Sequence, residues 1–133
     1  MTYRDRIDAP GPKRLLALDG GGIRGILSLE ILAKLEDALR RVTNRPDLVL
    51  ADAFDYIGGT STGAIIATGL ALGFDTQRLR TLYLERGAEM FDRARLLDRV
   101  RHLYDDEPLA AILREELGAD TTLGSDDLRT LLL

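Results

Sequence analysis

Ser61 stands at the centre of Gly59-Thr60-Ser61-Thr62-Gly63, a serine with a glycine two positions to either side. The short run Tyr56-Ile57-Gly58 precedes it, and a nearly continuous apolar stretch from Ala64 to Phe74 follows. A sharp turn between a strand and a helix lifts such a serine hydroxyl out of the fold, where it can attack an acyl carbon. The backbone of that turn is strained. Glycine is needed on both sides because a Cβ there would meet the neighbouring strand and helix. The helix N-terminus beside the hydroxyl adds N–H groups and a dipole that favour negative charge. The same five residues also fit a plain glycine-rich turn ahead of a buried helix, so this motif alone leaves both readings open.

Upstream lies a second glycine motif, Asp19-Gly20-Gly21-Gly22-Ile23-Arg24-Gly25. Three consecutive glycines leave several backbone N–H groups unobstructed and able to converge on one oxygen. An acyl-transfer site needs such donors in place before charge develops on the tetrahedral intermediate, and one donor is worth ~3–4 kcal/mol in a serine protease. Arg24 either steadies the loop by bonding to its carbonyls or is simply exposed. Gly20, Gly22 and Gly25 also match Gly-x-Gly-x-x-Gly, the dinucleotide-binding pattern. That pattern calls for an acid at the end of a second strand about 20 residues on. Here the region reads Val42-Thr43-Asn44-Arg45-Pro46-Asp47, a loop with no strand before it. No Gly-Lys-Ser/Thr occurs, so a Walker loop is excluded. The alternative to an enzyme is a non-catalytic module that uses the glycine loop for a nucleotide or another anion.

The elements that must position these motifs alternate in type. Arg14-Leu15-Leu16-Ala17-Leu18 reads as a strand buried on both faces. After the glycine loop, Ile26, Leu29, Leu32, Leu35, Leu39 and Val42 form one stripe of a helix, with Glu30, Lys34, Asp37 and Arg41 opposite. This helix stops near Asn44, ahead of Pro46. A second strand covers Tyr56 to Gly58, and an interior helix runs from Thr62 to Leu72. Asp75 is placed to cap a helix over Thr76–Glu89 with Leu79, Leu82 and Tyr83 inward. Pro108 and Gly118 bracket another, with Ile112 and Leu113 inward. Leu128 to Leu133 reads as the start of a third buried strand. The pattern predicts an α/β fold with a mainly parallel sheet: residues 1–12 as a polar leader, residues 13–133 as the domain.

Taken together, the loop Asp19–Gly25 and the elbow Gly59–Gly63, in that order and with a helix between them, resemble the patatin-like phospholipases. The resemblance runs from about Lys13 to the end of the chain. It implies a three-layer α/β/α domain and hydrolysis of acyl esters of phospholipids or related lipids through an acyl-enzyme. It implies Ser61 as nucleophile and Gly21 and Gly22 as oxyanion donors, with Gly20, Arg24 and Gly25 completing one motif and Gly59, Thr60, Thr62 and Gly63 the other. It also implies a Ser-Asp dyad without histidine and without a cofactor or metal. A histidine-based triad is independently disfavoured, because the single histidine, His102, sits in the charged stretch Arg99-Val100-Arg101-His102. The family's dyad aspartate lies in an Asp-Gly-Gly or Asp-Gly-Ala turn downstream of the elbow. Here the one Asp-Gly is Asp19-Gly20, in the upstream loop. The expectation is therefore the N-terminal part of a larger catalytic domain, with a correctly placed serine and no base of its own.

Bulk composition agrees with a globular domain: 45% hydrophobic and 30% charged over 133 residues. A net charge of −4 gives no sign of nucleic-acid binding. The absence of cysteine excludes a disulfide scaffold and a thiol nucleophile, and fits a reducing, cytoplasmic setting. Ala64 to Phe74 is about half of a membrane span, and the N-terminus lacks the apolar core of a secretory signal. Arg93, Arg95, Arg99 and Arg101 offer peripheral contact with anionic lipid, although Asp92, Asp98, Asp105 and Asp106 dilute them into a salt-bridged face. The triplet Asp105-Asp106-Glu107 makes a poor metal cage and a good cap for the helix at Pro108. Nothing in the sequence sets an oligomeric state.

Overall fold

The computed structural model describes residues 3–90 and 107–133. His102, the four-arginine patch and the acids Asp92, Asp98, Asp105 and Asp106 lie outside the described residues. Three strands form one sheet: β1 (Leu15–Leu18), β2 (Tyr56–Gly59) and β3 (Leu131–Leu132), in the order β1-β2-β3. Both pairings are parallel, with Leu15 opposite Tyr56, Leu18 opposite Gly59, and Ile57 opposite Leu132. Parallel neighbours need long crossovers, and helices supply them. A helix α1 (Tyr3–Asp8) precedes β1. A 3₁₀ turn (Gly22–Arg24), α2 (Gly25–Thr43) and the short α3 (Leu50–Ala53) connect β1 to β2. The helices α4 (Thr62–Ala71), α5 (Thr76–Met90) and α6 (Glu107–Leu117) follow β2 in the chain before β3.

Alternate strand residues decide which face is buried. Leu16, Leu18, Ile57 and Leu132 turn toward the helices, where they meet Leu29 and Leu32 of α2, Leu50 of α3, Ile66, Ala67 and Leu70 of α4, and Leu79 and Tyr83 of α5. The α/β class and the parallel sheet are as expected. The expectation that β1 is buried on both faces is corrected: Leu15 is 64% exposed, because α2 to α5 all enter the core from the side of Leu16 and Leu18.

The helices follow their sequence signals with two departures. Helix α2 ends at Asn44 in the left-handed region, φ 52°, where its N–H closes onto the Arg40 and Arg41 carbonyls. Asp75 caps α5, its carboxylate accepting from the Arg78 N–H at 2.7 Å. Val42, expected on the apolar stripe of α2, is exposed, because the last turn of the helix runs past the core. Glu36, which no apolar pattern singles out, is instead buried on that helix at 1% exposure. Its carboxylate accepts from the Thr76 N–H and Oγ1 at the start of α5 and pairs with Arg40 at 2.7 Å. Burial pushes its pKa up, and Arg40 and the Thr76 bonds partly offset this.

Both termini of the described chain are tied to the domain. Residues 3–8 of the polar leader form α1, and Arg6 is buried with its guanidinium donating to the Phe54 carbonyl at 3.0 Å. At the other end Thr130 donates to the same carbonyl at 2.8 Å, and the Leu133 N–H reaches the Ile57 carbonyl at 2.9 Å. Among the described residues no helix is long and apolar enough to cross a membrane.

Candidate active site

The parallel register brings both glycine motifs to one place. Leu18 ends β1 and Gly59 ends β2 directly opposite, so Asp19–Gly25 and Thr60–Gly63 leave the sheet side by side at the carboxyl ends of neighbouring strands. This is where open α/β sheets place their ligand sites.

At the elbow, Ser61 adopts φ 53°, ψ −124°, a conformation side chains rarely hold. Such strain amounts to ~1–3 kcal/mol and persists only where the surroundings enforce it. Here they do: the Thr60 N–H bonds the Leu18 carbonyl at 3.1 Å, and the Gly63 and Ala64 N–H groups bond the Thr60 and Ser61 carbonyls at 2.9 Å. A Cβ on Gly59 would lie 2.4 Å from the Gly63 carbonyl oxygen, and one on Gly63 2.4 Å from that of Leu18. The strand and the helix can therefore cross this closely only with glycine at both positions. Ser61 is exposed and occupies the N-cap of α4, yet its side chain makes no capping bond. A serine at an N-cap normally gives its oxygen to the helix amides. The hydroxyl of Ser61 is left for something else.

Next to it, the glycine loop packs closely against Ser61: a Cβ on Gly20 would sit 2.9 Å from Ser61 Cβ. The Gly20 N–H donates to Thr60 Oγ1 and the Gly21 N–H to Thr62 Oγ1, both at 3.2 Å. Gly22 has φ 61° and opens the 3₁₀ turn, and among the described residues no group accepts from its N–H. The loop is closed by the Arg24 backbone N–H on the Gly21 carbonyl at 3.2 Å, while the Arg24 side chain is exposed beside Gly21. Gly25 starts α2 against the ring of Tyr83.

Sequence reasoning listed Tyr83 as a core residue and missed its polar end. Its hydroxyl donates to the Thr62 carbonyl at 3.1 Å, and burial raises its pKa to about 12. A tyrosine on an inward helical position, where phenylalanine would pack equally well, is the signal that could have pointed to a partner. The sequence places Thr60 and Thr62 in the motif but gives no sign of what their hydroxyls bond. Among the described residues, no carboxylate bonds the Ser61 hydroxyl, and no group of acids and histidines is arranged to hold a metal ion.

A strained, exposed serine at a strand-to-helix turn, over a parallel sheet and against a glycine loop, is the arrangement of hydrolases with a nucleophile elbow. The sequence profile of the patatin-like phospholipases matches residues 16–131. The chain belongs to that family. It is similar to the cGAMP-activated phospholipase of Escherichia coli (strain TW11681), 34% identical over 137 positions that cover 99% of this chain and 38% of that protein. It is also similar to patatin group M-3 and patatin-T5 of Solanum tuberosum, 37% identical over 111 positions covering 78% of this chain and 28% of each. The chain thus spans well under half the length of these curated relatives.

Proposed function

We propose that this chain carries the nucleophile and the oxyanion loop of a serine lipid acyl hydrolase. The observation that carries the reading is the strained Ser61 backbone with its uncommitted hydroxyl, set against the glycine loop. In this reading Ser61 Oγ adds to the carbonyl carbon of a phospholipid or related acyl ester. The oxygen of the tetrahedral intermediate takes the Gly22 N–H, with the Gly21 N–H shared between it and Thr62. Collapse breaks the ester C–O bond, the alcohol leaves with the proton given up by Ser61 Oγ, and water hydrolyses the remaining acyl-serine to the free acid and Ser61. Family membership supports the substrate class, a lipid acyl ester; that the ester is met at a membrane surface from the cytoplasmic side is part of the proposal. The same membership argues for a Ser-Asp dyad and for no cofactor.

The proton of Ser61 needs an acceptor, and a hydroxyl at its free pKa is a weak nucleophile. No described carboxylate reaches it, so we expect the chain by itself to acylate slowly and to turn over little. A loop that cradles a nucleotide or phosphate is the weaker reading. The dinucleotide pattern calls for an acid ending a second strand about 20 residues past the glycines, and here α2 still runs to Thr43 and β2 begins only at Tyr56. The E. coli relative is named for activation by cGAMP. Control by a small molecule is consistent with the present reading but is not needed for it.

A single-turnover assay tests the proposal. Mixing the chain with a p-nitrophenyl ester of a medium-length fatty acid should release about one equivalent of nitrophenolate. The acyl mass should appear on the peptide containing Ser61, and both signals should vanish in Ser61→Ala. Release that persists in Ser61→Ala, or no acyl adduct on the folded protein, overturns it.

A further inference from the structure

Three consecutive glycines have more backbone freedom than any other tripeptide, and fixing them carries a large entropic penalty. An oxyanion donor acts only if it is already in position when charge develops. The Arg24 N–H closes the loop on the Gly21 carbonyl, but the three glycines carry no side chains that could fix their amides over Ser61. The structure shows what does. The two threonines that flank Ser61 each accept one loop amide, Gly20 N–H on Thr60 Oγ1 and Gly21 N–H on Thr62 Oγ1, both at 3.2 Å. Thr60 is exposed, so water competes for its bond, whereas Thr62 is buried at 3% exposure.

Thr62 is itself held from behind. The Tyr83 hydroxyl donates to its carbonyl at 3.1 Å, and the Tyr83 ring abuts Gly25, where a Cβ would lie 3.0 Å from ring carbon and hydroxyl alike. One buried side chain on α5 thus touches the elbow and the far end of the glycine loop together. We propose that Thr62, braced by Tyr83, is a positioning residue for acyl transfer: it sets the height of the glycine loop over Ser61 so that the Gly22 N–H faces the developing oxyanion. This rests on the hydrolase reading given above. It assigns to the second threonine of the elbow a task distinct from shaping the turn. Thr62→Val keeps the shape and removes the acceptor; Thr62→Ser keeps the acceptor.

The test is covalent labelling of the full chain by a fluorophosphonate, resolved into the rate of bond formation, kinact, and the binding constant, KI. Thr62→Val should lower kinact about fivefold to tenfold, with KI within about twofold, and Tyr83→Phe should lower kinact about threefold. Thr62→Ser should restore the wild-type rate. A loss of stability alone would not split kinact from KI or be rescued by serine. In parallel, hydrogen exchange of the Gly21 amide, followed by NMR, should quicken at least about tenfold in Thr62→Val and return in Thr62→Ser. If folded Thr62→Val labels at the wild-type kinact, or Gly21 exchanges equally in both proteins, the positioning role is overturned and the hydrolase reading stands. If wild-type Ser61 labels no faster than other serines, the hydrolase reading fails and the positioning role fails with it.

Discussion

Substituting Gly63 by alanine tests whether the close crossing of strand and helix sets the geometry at Ser61. The new methyl would lie 2.4 Å from the Leu18 carbonyl oxygen and 2.8 Å from that of Asp19, both rigid backbone atoms at the end of β1. That is about 1 Å inside ordinary contact, so α4 must withdraw from β1 by a comparable distance. Overpacking of this kind costs about 1–3 kcal/mol of stability, within the 5–15 kcal/mol of a typical domain. Ser61 occupies the N-cap position of α4 and moves with it. A displacement of about 1 Å at a reacting atom lowers rates about 100-fold, equivalent to about 2.7 kcal/mol of barrier. Urea unfolding measures the first effect, and kinact with a fluorophosphonate measures the second. Gly124→Ala is the control, since a Cβ there meets nothing within 4 Å. A folded Gly63→Ala protein that labels within about threefold of wild type would refute this reasoning.

Two further outcomes follow from the same contacts. Ser61→Gly relieves the φ 53° strain and should raise stability by about 1 kcal/mol in urea unfolding while abolishing labelling; a clear loss of stability would mean that the turn stores no strain. Glu36 titrates in the folded protein above its ordinary value of 4.5, because burial outweighs Arg40 and the Thr76 bonds. Between 4.5 and that raised value the native state holds more protons than the unfolded one, so this group's contribution falls as pH rises. The stability of wild type relative to Glu36→Gln should therefore decline as pH rises above 4.5, and a difference that stays flat or grows would contradict it.

What was legible in the sequence was local. The strand at Tyr56, the interior helix after Ser61, the cap at Asp75 and the stop at Asn44 all follow from patterns within a few residues, and the structure reproduces them. The parallel sheet followed from the alternation of elements. What was not legible depends on distant partners. A continuous apolar run cannot say which of its faces a helix will cover, so the exposure of Leu15 was missed. Glu36 looks like any helix-surface acid until Thr76, forty residues on, closes over it. The elbow was readable as a motif, but the use of its threonines was not. The bonds from Gly20 and Gly21 span 40 and 41 residues, and the Tyr83 bond joins two helices.

In the proposed reading Ser61 is chemically distinct because the fold holds it in a strained turn beside the amides of the glycine loop. The chain has two other serines, Ser28 and Ser125. Labelling the native chain with a fluorophosphonate and mapping adducts by mass spectrometry compares all three in one sample. Ser61 should be modified at least about tenfold faster than Ser28 or Ser125, with the preference lost on unfolding in urea. Equal rates at the three serines in the native protein, or a preference that survives unfolding, would contradict it.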